Sequence, residues 1–194
     1  HGELTTDRYN WLMAQLKAGQ DANQLMIVSA HIPIGVTAQG SAMDWKPVLP
    51  GYSSETDLIA QLRSFPNLIL WVCGHRHLNN VTAFPSADQT HPENSFWEVE
   101  TKSLREFPEQ FRTFDIVRNS DNTISIITTD VDTETKTGSL AAIGRSYAIA
   151  SNQIYKMYGQ PLETGSVSYN AELIKQLSPK MQEIIKNCGT PISK

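Results

Sequence analysis

The stretch "LILWVCGHRHLNN", residues 68–80, indicates both the fold and the site of this protein. Its apolar run, 68–73, ends at Gly74, and two histidines then flank Arg76. A short apolar run bounded by turn residues is typical of a strand that is covered on both faces, as in a parallel sheet. A second such run, "LMIV" at 25–28, is followed in the same way by His31. We therefore predict two buried parallel strands that each end in histidine.

Helical patterns precede both of these strands. Residues 6–18 have apolar residues at helical spacing, with Thr6 as the predicted cap and Gly19 after the last turn. Residues 53–65 predict a second helix, because Ser54 and Asp57 have the spacing of a capping box. The order helix, strand, helix, strand implies a right-handed crossover between two parallel strands.

The pattern changes after residue 78. Four shorter segments alternate between apolar and polar residues and are separated by polar turns, which predicts antiparallel strands. A helix is predicted over 139–158, followed by a last helical pair at 170–177 and from Pro179, which Ser178 caps. The predicted fold class is α/β (α+β), with parallel strands first, antiparallel strands next and a helical tail. Residues 1–131 would form the main domain, and 132–194 a helical extension packed on it.

Composition excludes several classes of partner. The chain of 194 residues has a net charge of −4, so it lacks the basic surface of a protein that binds duplex nucleic acid. No apolar run approaches the ~18 residues that would span a membrane. We expect a soluble protein, either cytoplasmic or exported, whose compartment the two cysteines do not decide. Because it starts at His1 and not at methionine, we expect it to be part of a longer product.

Histidines at the strand ends are the candidate functional residues. Ligands of open α/β sheets bind at the carboxyl ends of the strands, so His31, His75 and His77 are expected within reach of one centre. If the chain stays extended there, His75 and His77 project to the same side, and Gly74 would let the backbone approach an ion. Imidazole favours ions such as zinc, iron and manganese over calcium.

Each of these residues also has a structural interpretation. A single histidine after a strand, such as His31, is commonly a hydrogen-bonded structural residue. Three histidines without a carboxylate would at most make a mononuclear zinc site. Cys73 shares strand parity with His75 and His77, but a cysteine in an apolar strand is expected to be buried and inert.

Several motifs resemble those of the calcineurin-like metallophosphoesterases. "VSAHIPIG", residues 28–35, is similar to the strand-end histidine motif of that family, and "CGHRH", residues 73–77, to its closing Gly-His-x-His motif. "LTTDRYNWLMAQL" resembles the helix before the first strand, and "TKSLREFPEQFRTFDI" the family's late segment. The resemblance covers about residues 3–118.

This resemblance implies a dinuclear site that hydrolyses phosphate esters, with two divalent ions (Mn, Fe or Zn). His31 and His75 would bind one ion and His77 the other, and Arg76 has no ligand role. The family's earlier motifs, Asp-x-His, Gly-Asp-x-x-Asp and Gly-Asn-His, are absent from the 194 residues. The chain is therefore interpreted as the C-terminal half of such a domain, inactive or nearly inactive alone, with no catalytic residue assigned. Alone it would bind one ion or none.

Half of a sheet would leave one edge exposed. Three explanations stay open: the chain is a fragment of a larger hydrolase, another chain supplies the missing half, or a homodimer forms through the exposed sheet edge. A different class of function is a binding module on a degenerate phosphoesterase scaffold, with the open sheet or the loop around Trp45 meeting a protein partner. The phosphate ester substrate, monoester or diester, is not identified, since Arg76, Trp45 and Tyr52 each have a structural alternative.

Overall fold

A computed structural model describes residues 4–34, 55–155, 170–186 and 188. Over these residues the chain is an α+β protein with two sheets and four α-helices. The helices are α1 (Thr6–Asp21), α2 (Glu55–Arg63), α3 (Leu140–Tyr155) and α4 (Pro179–Ile185). The strands are β1 (Met26–Ser29), β2 (Leu68–Cys73), β3 (Asn80–Phe84), β4 (Phe96–Glu100), β5 (Phe111–Arg118), β6 (Ile124–Val131) and β7 (Asn170–Lys175).

The first sheet has the strand order β1-β2-β4-β3. β1 and β2 are parallel, which confirms the predicted crossover. The expectation that all later strands are antiparallel is wrong for β4, which is parallel to β2 and antiparallel to β3. β4 reverses β3 through the connection 85–95 and so returns to the direction of β2. Alternation along a strand reports which face is buried, and it does not report the direction of the neighbouring strand.

β1 lies at the edge of this sheet, and its predicted burial on both faces is wrong. Met26 and Val28 pack against the core that the helices cover. Ile27 lies on the opposite face and is 50% exposed. Within the described residues β1 pairs with β2 alone, so one of its sides carries no neighbouring strand.

Two hydrophobic cores enclose the centre of the first sheet. The first core lies under α1 and α2 and consists of Tyr9, Leu12, Leu16, Ile34, Leu58, Leu62, Leu68, Trp71, Cys73 and Phe96. The second core joins the first sheet to the sheet β5-β6-β7 and to α4, and consists of Ile69, Leu70, Val99, Ile124, Ile126, Leu173, Leu177 and Met181. β2 contributes to both cores, as its continuous apolar run predicts.

The helix predicted over 170–177 is wrong, because β7 is a strand that pairs antiparallel with β6. Ala171, Leu173 and Lys175 are the inward positions of β7, which is a period of two and not of 3.6. Lys175 is buried at an inward position, where an apolar residue is usual. Because lysine is polar, the sequence of β7 does not show the alternation of apolar and polar residues that is typical of a strand. The tail therefore contributes a strand to the second sheet.

The helix predictions are otherwise confirmed, with small shifts. α1 is capped by Thr5 and not by Thr6, since the Thr5 hydroxyl accepts the backbone N–H of Arg8. Ser178 caps α4 as predicted, with Pro179 in its first turn. The predicted Ser54 cap, the loop with Trp45 and Tyr52, and the last residues of the 139–158 helix lie outside the described residues. No helix in the described part of the chain is both long and apolar enough to cross a membrane.

Polar contacts also connect β7 to the first sheet. The indole Nε1 of Trp97, on β4, donates to the carbonyl oxygen of Ile174 at 3.0 Å. The buried Nζ of Lys175 donates to the carbonyl oxygens of Glu93 and Gln176, at 2.5 and 2.8 Å. Burial lowers the pKa of Lys175 from 10.5 to about 8, although the charge of Glu93 acts in the opposite direction.

This low pKa predicts a specific pH dependence of stability. The folded chain binds the Lys175 proton less tightly than the unfolded chain, so stability rises between the folded pKa of about 8 and the unfolded pKa of 10.5. Lys175→Met removes this titration. Between about pH 8 and about pH 10, the free energy of unfolding of the wild type should therefore gain about 2 kcal/mol relative to the variant.

Urea unfolding at these two pH values measures the difference. Lys180→Met removes an exposed lysine from the neighbouring helix α4 and serves as the matched control. Parallel pH curves for the wild type and Lys175→Met would contradict the prediction.

Candidate metal centre

The carboxyl ends of β1 and β2 lie side by side, and the parallel ladder continues into the two loops that follow. The backbone N–H of Ala30 donates to the Val72 carbonyl, and that of Gly74 to the His31 carbonyl, both at 3.0 Å. These two bonds extend the strand pairing beyond both strands. They place the start of the loop that follows β1, which contains His31, directly beside the start of the loop Gly74–His77.

His31 and His75 meet at this edge. Nδ1 of His75 lies 3.2 Å from Nε2 of His31, and the two rings are in edge contact with their centroids 5.1 Å apart. Partial burial lowers the pKa of His75, and the imidazoles of His31 and His77 act in the same direction. His75 is therefore biased toward the neutral form, which is the form that binds metal ions.

The separation of the two nitrogens can be compared with that of metal ligands. Two imidazole nitrogens on one tetrahedral zinc ion, each at about 2.0–2.1 Å, lie about 3.3 Å from one another. The observed 3.2 Å suits two ligands of one ion, and equally a hydrogen bond between neutral rings. Among residues 4–34, 55–155, 170–186 and 188, no group of three or more His, Cys, Asp or Glu side chains is arranged to hold one ion. Within the described residues His31 and His75 are therefore a pair and not part of a complete ligand set.

His77 has a different partner. Its Nδ1 lies 2.7 Å from Oε2 of Glu106, in the segment between β4 and β5. This hydrogen bond lowers the pKa of Glu106. Because a carboxylate can only accept, Nδ1 carries the proton, and in the neutral ring Nε2 keeps its lone pair. Histidines that bind metal ions commonly donate their other ring nitrogen to a carboxylate in this way.

The extended conformation predicted for residues 75–77 is wrong. His75 has φ = 74° and His77 has φ = 56°, so both lie in the left-handed region. The positive φ angles fall on these histidines and not on Gly74. A Cβ at Gly74 would stand 3.5 Å from the Thr101 carbonyl oxygen, an ordinary contact. Two left-handed histidines separated by a single residue indicate that contacts outside the loop determine its shape.

Arg76 provides the principal contact of this loop. Its guanidinium binds the carboxylate of Glu100, at the end of β4, with Nη2 2.5 Å from Oε2 and Nε within 3.1 Å of both oxygens. The backbone N–H of Arg76 donates to Glu100 Oε1 at 3.2 Å. One buried carboxylate therefore holds both the main chain and the side chain of the residue between the histidines.

Cys73 and a further histidine, His91, lie outside the centre. Cys73 is buried in the first core, as predicted, and its thiol lies 3.6 Å from the Val99 carbonyl oxygen. Burial raises the pKa of the Cys73 thiol far above its usual value, so it stays protonated. His91 is exposed and pairs with Glu93.

Three carboxylates that contact the histidine loops were missed by sequence reasoning. Glu106 lies within the segment "TKSLREFPEQFRTFDI", but nothing in that segment singles it out. Glu98 and Glu100 had a usable signal, because two acidic residues of the same parity in the strand "FWEVE" must share one face of β4. Buried carboxylates at such positions indicate a polar partner on that face.

Comparison with models of known protein families and with curated proteins finds no match to this chain. The assignment of His31, His75 and His77 as metal ligands therefore stays a prediction that depends on the motifs and on the geometry of the two loops.

Proposed function

We propose that this chain supplies the histidine side of the metal site of a phosphoric ester hydrolase. The observation that carries the proposal is the 3.2 Å separation of His75 Nδ1 and His31 Nε2 where two adjacent parallel strands end. A pair of imidazoles there, with a third two residues after His75 that a carboxylate orients, is a donor set that suits zinc or iron.

The roles of the residues follow from their contacts. His31 and His75 would hold one divalent ion through the two facing nitrogens, and His77 would present Nε2 to a second ion. Glu106 fixes the tautomer of His77 by accepting its Nδ1–H. When bound, such ions polarise the phosphoryl group and lower the pKa of the attacking water.

His31 and His75 need further ligands, and the described residues hold no group of three or more His, Cys, Asp or Glu side chains arranged around one ion. Two cations close together require bridging negative charge, so we propose that this chain alone binds one ion at most and has little or no turnover. The outer edge of β1, which has no neighbouring strand among the described residues, is where we propose that further chain or a second copy adds to the sheet.

A second candidate is a binding module on the same scaffold, without chemistry. It is favoured by the lack of a third ligand beside His31 and His75 in the described part of the chain. In that case the contact between the two imidazoles would be a hydrogen bond that closes the two loops. Metal binding distinguishes the two candidates.

The test is zinc and manganese binding by calorimetry, together with turnover of a chromogenic phosphodiester. We expect the wild type to bind one ion per chain, with turnover near background. His31→Ala removes a ligand, so its metal affinity should fall by more than the roughly 100-fold that loss of an outer partner costs. His91→Ala removes an exposed histidine away from the site and should bind as the wild type does.

Equal affinity of the wild type and His31→Ala would exclude the proposed site and support the binding module. Two ions per chain with turnover that depends on His31 would show that this chain itself provides the missing carboxylates.

A further inference from the structure

Two carboxylates on the helix-covered face of β4 lie beneath the histidine loops. Glu98 and Glu100 are both buried, and they are the register partners of Trp71 and Cys73 on β2. A carboxylate in such surroundings is unfavourable unless it accepts hydrogen bonds. Each of the two accepts one from the backbone of a different histidine loop.

Glu100 acts on the loop of His75 and His77. It accepts hydrogen bonds from both the backbone N–H and the guanidinium of Arg76, which stands between the two left-handed histidines. Arg76 is 38% exposed at its side chain and Glu100 is 1% exposed. An arginine with that exposure is well solvated without a partner, so the contact does more for the buried carboxylate and for the loop than for the arginine.

Glu98 acts on the loop of His31. Its Oε2 accepts the backbone N–H of Ile34 at 2.7 Å, and the side chain of Ile34 is buried in the first core. Because the His31 carbonyl accepts the Gly74 N–H, the two loops are also joined to one another. Two residues of β4 therefore contact the backbone of both loops.

We infer that Glu98 and Glu100 are positioning residues of the metal centre, which hold His31 and His75 at ligand separation without touching the ion. This inference rests on the proposed function. Glu100 acts through Arg76, whose backbone it holds in the conformation that turns His75 toward His31. The arrangement differs from the ion pair of Arg112 and Asp130, which is buried on both sides and lies in the second sheet.

The test compares Glu100→Gln with the wild type in a cobalt titration followed by visible absorption. Glutamine cannot accept the paired hydrogen bonds of the guanidinium, so we expect cobalt affinity to fall by about 10–100-fold, the effect typical of an outer partner. Glu172→Gln is the matched control, because it changes a carboxylate that accepts a hydrogen bond from Ser125 in the second sheet. Arg76→Gln should reproduce the loss, and the double variant should add nothing further, since Glu100 acts through Arg76.

A second readout needs no metal. The ring nitrogen chemical shifts of His31 and His75 in the metal-free chain should change in Glu100→Gln and remain unchanged in Glu172→Gln. If Glu100→Gln does not fold, Arg76→Gln gives both readouts, because its side chain is partly exposed.

The possible failures can be told apart. Absence of cobalt binding by the wild type would overturn the proposed function. The ring nitrogen shifts of His31 and His75 would then be the one test of the positioning role. A wild type that binds cobalt, with Glu100→Gln and Arg76→Gln binding equally well and with unchanged ring shifts, would overturn the positioning role and leave the proposed function standing.

Discussion

Replacing Asp130 with alanine is expected to lower the free energy of unfolding by about 3–5 kcal/mol, since it removes one partner of a buried ion pair. Nη2 of Arg112 lies 2.8 Å from Oδ2 of Asp130, and their side chains are 1% and 0% exposed. The two residues face one another across the β5 and β6 ladder. Arg112 also donates to the Thr128 hydroxyl at 2.6 Å, so its guanidinium stays in place after the substitution and keeps its charge buried. Chemical denaturation measures the loss.

A double-mutant cycle shows whether this loss comes from breaking the ion pair of Arg112 and Asp130. Arg112→Met alone leaves Asp130 unpaired and should also destabilise the fold, whereas the double variant removes both charges. We expect the double variant to be more stable than the sum of the single effects predicts, by at least about 1 kcal/mol. Additive losses would mean that the two side chains contribute through packing and not as an ion pair.

Replacing Leu173 with alanine is the second large effect, with an expected loss of about 2–5 kcal/mol. Leu173 lies on β7, is 3% exposed, and belongs to the core that joins the two sheets. Its loss should destabilise the first sheet as well as the second, because Leu70 of β2 belongs to the same core. This result would bear on the predicted boundary between residues 131 and 132, which the fold alone does not test.

The neighbouring Ile174 provides the control. It is 40% exposed on the other side of β7, so Ile174→Ala should cost less than about 1 kcal/mol. Trp71, in the first core, reports on the first sheet through fluorescence, Trp97 reports on its junction with β7, and circular dichroism reports on both sheets. The contrary result is that Leu173→Ala leaves the fluorescence transition unchanged while the circular dichroism signal of the strands is lost separately, at a lower denaturant concentration. That result would show that the tail folds as an independent unit.

The sequence predicts the part of the fold that depends on local pattern. The apolar run of β2, the helical spacing in α1 and the Ser178-Pro179 signal at α4 each reflect a physical preference that acts within a few residues. The same holds for the position of the histidines, because any residue that follows parallel strands lies at their carboxyl edge. The meeting of His31 and His75 at that edge was expected for this reason.

Features that depend on distant partners were not predictable in this way. The parallel direction of β4 depends on how the chain returns after β3, and β7 becomes a strand because β6 offers a free edge. The orientation of His77 depends on Glu106, which lies 29 residues away. The left-handed conformation of the loop has no local signal, since histidine does not favour positive φ as glycine does.

At residues 75 and 77 the left-handed backbone and the proposed metal binding favour different residues. Glycine adopts positive φ without steric cost, so glycine at 75 or 77 would relax the chain while removing a ring. In a variant library sorted for heat resistance, these positions would drift toward glycine or asparagine. A library sorted for metal retention would keep histidine at both. The stretch "CGHRH" is therefore a place where selection for durability and selection for chemistry would leave different residues.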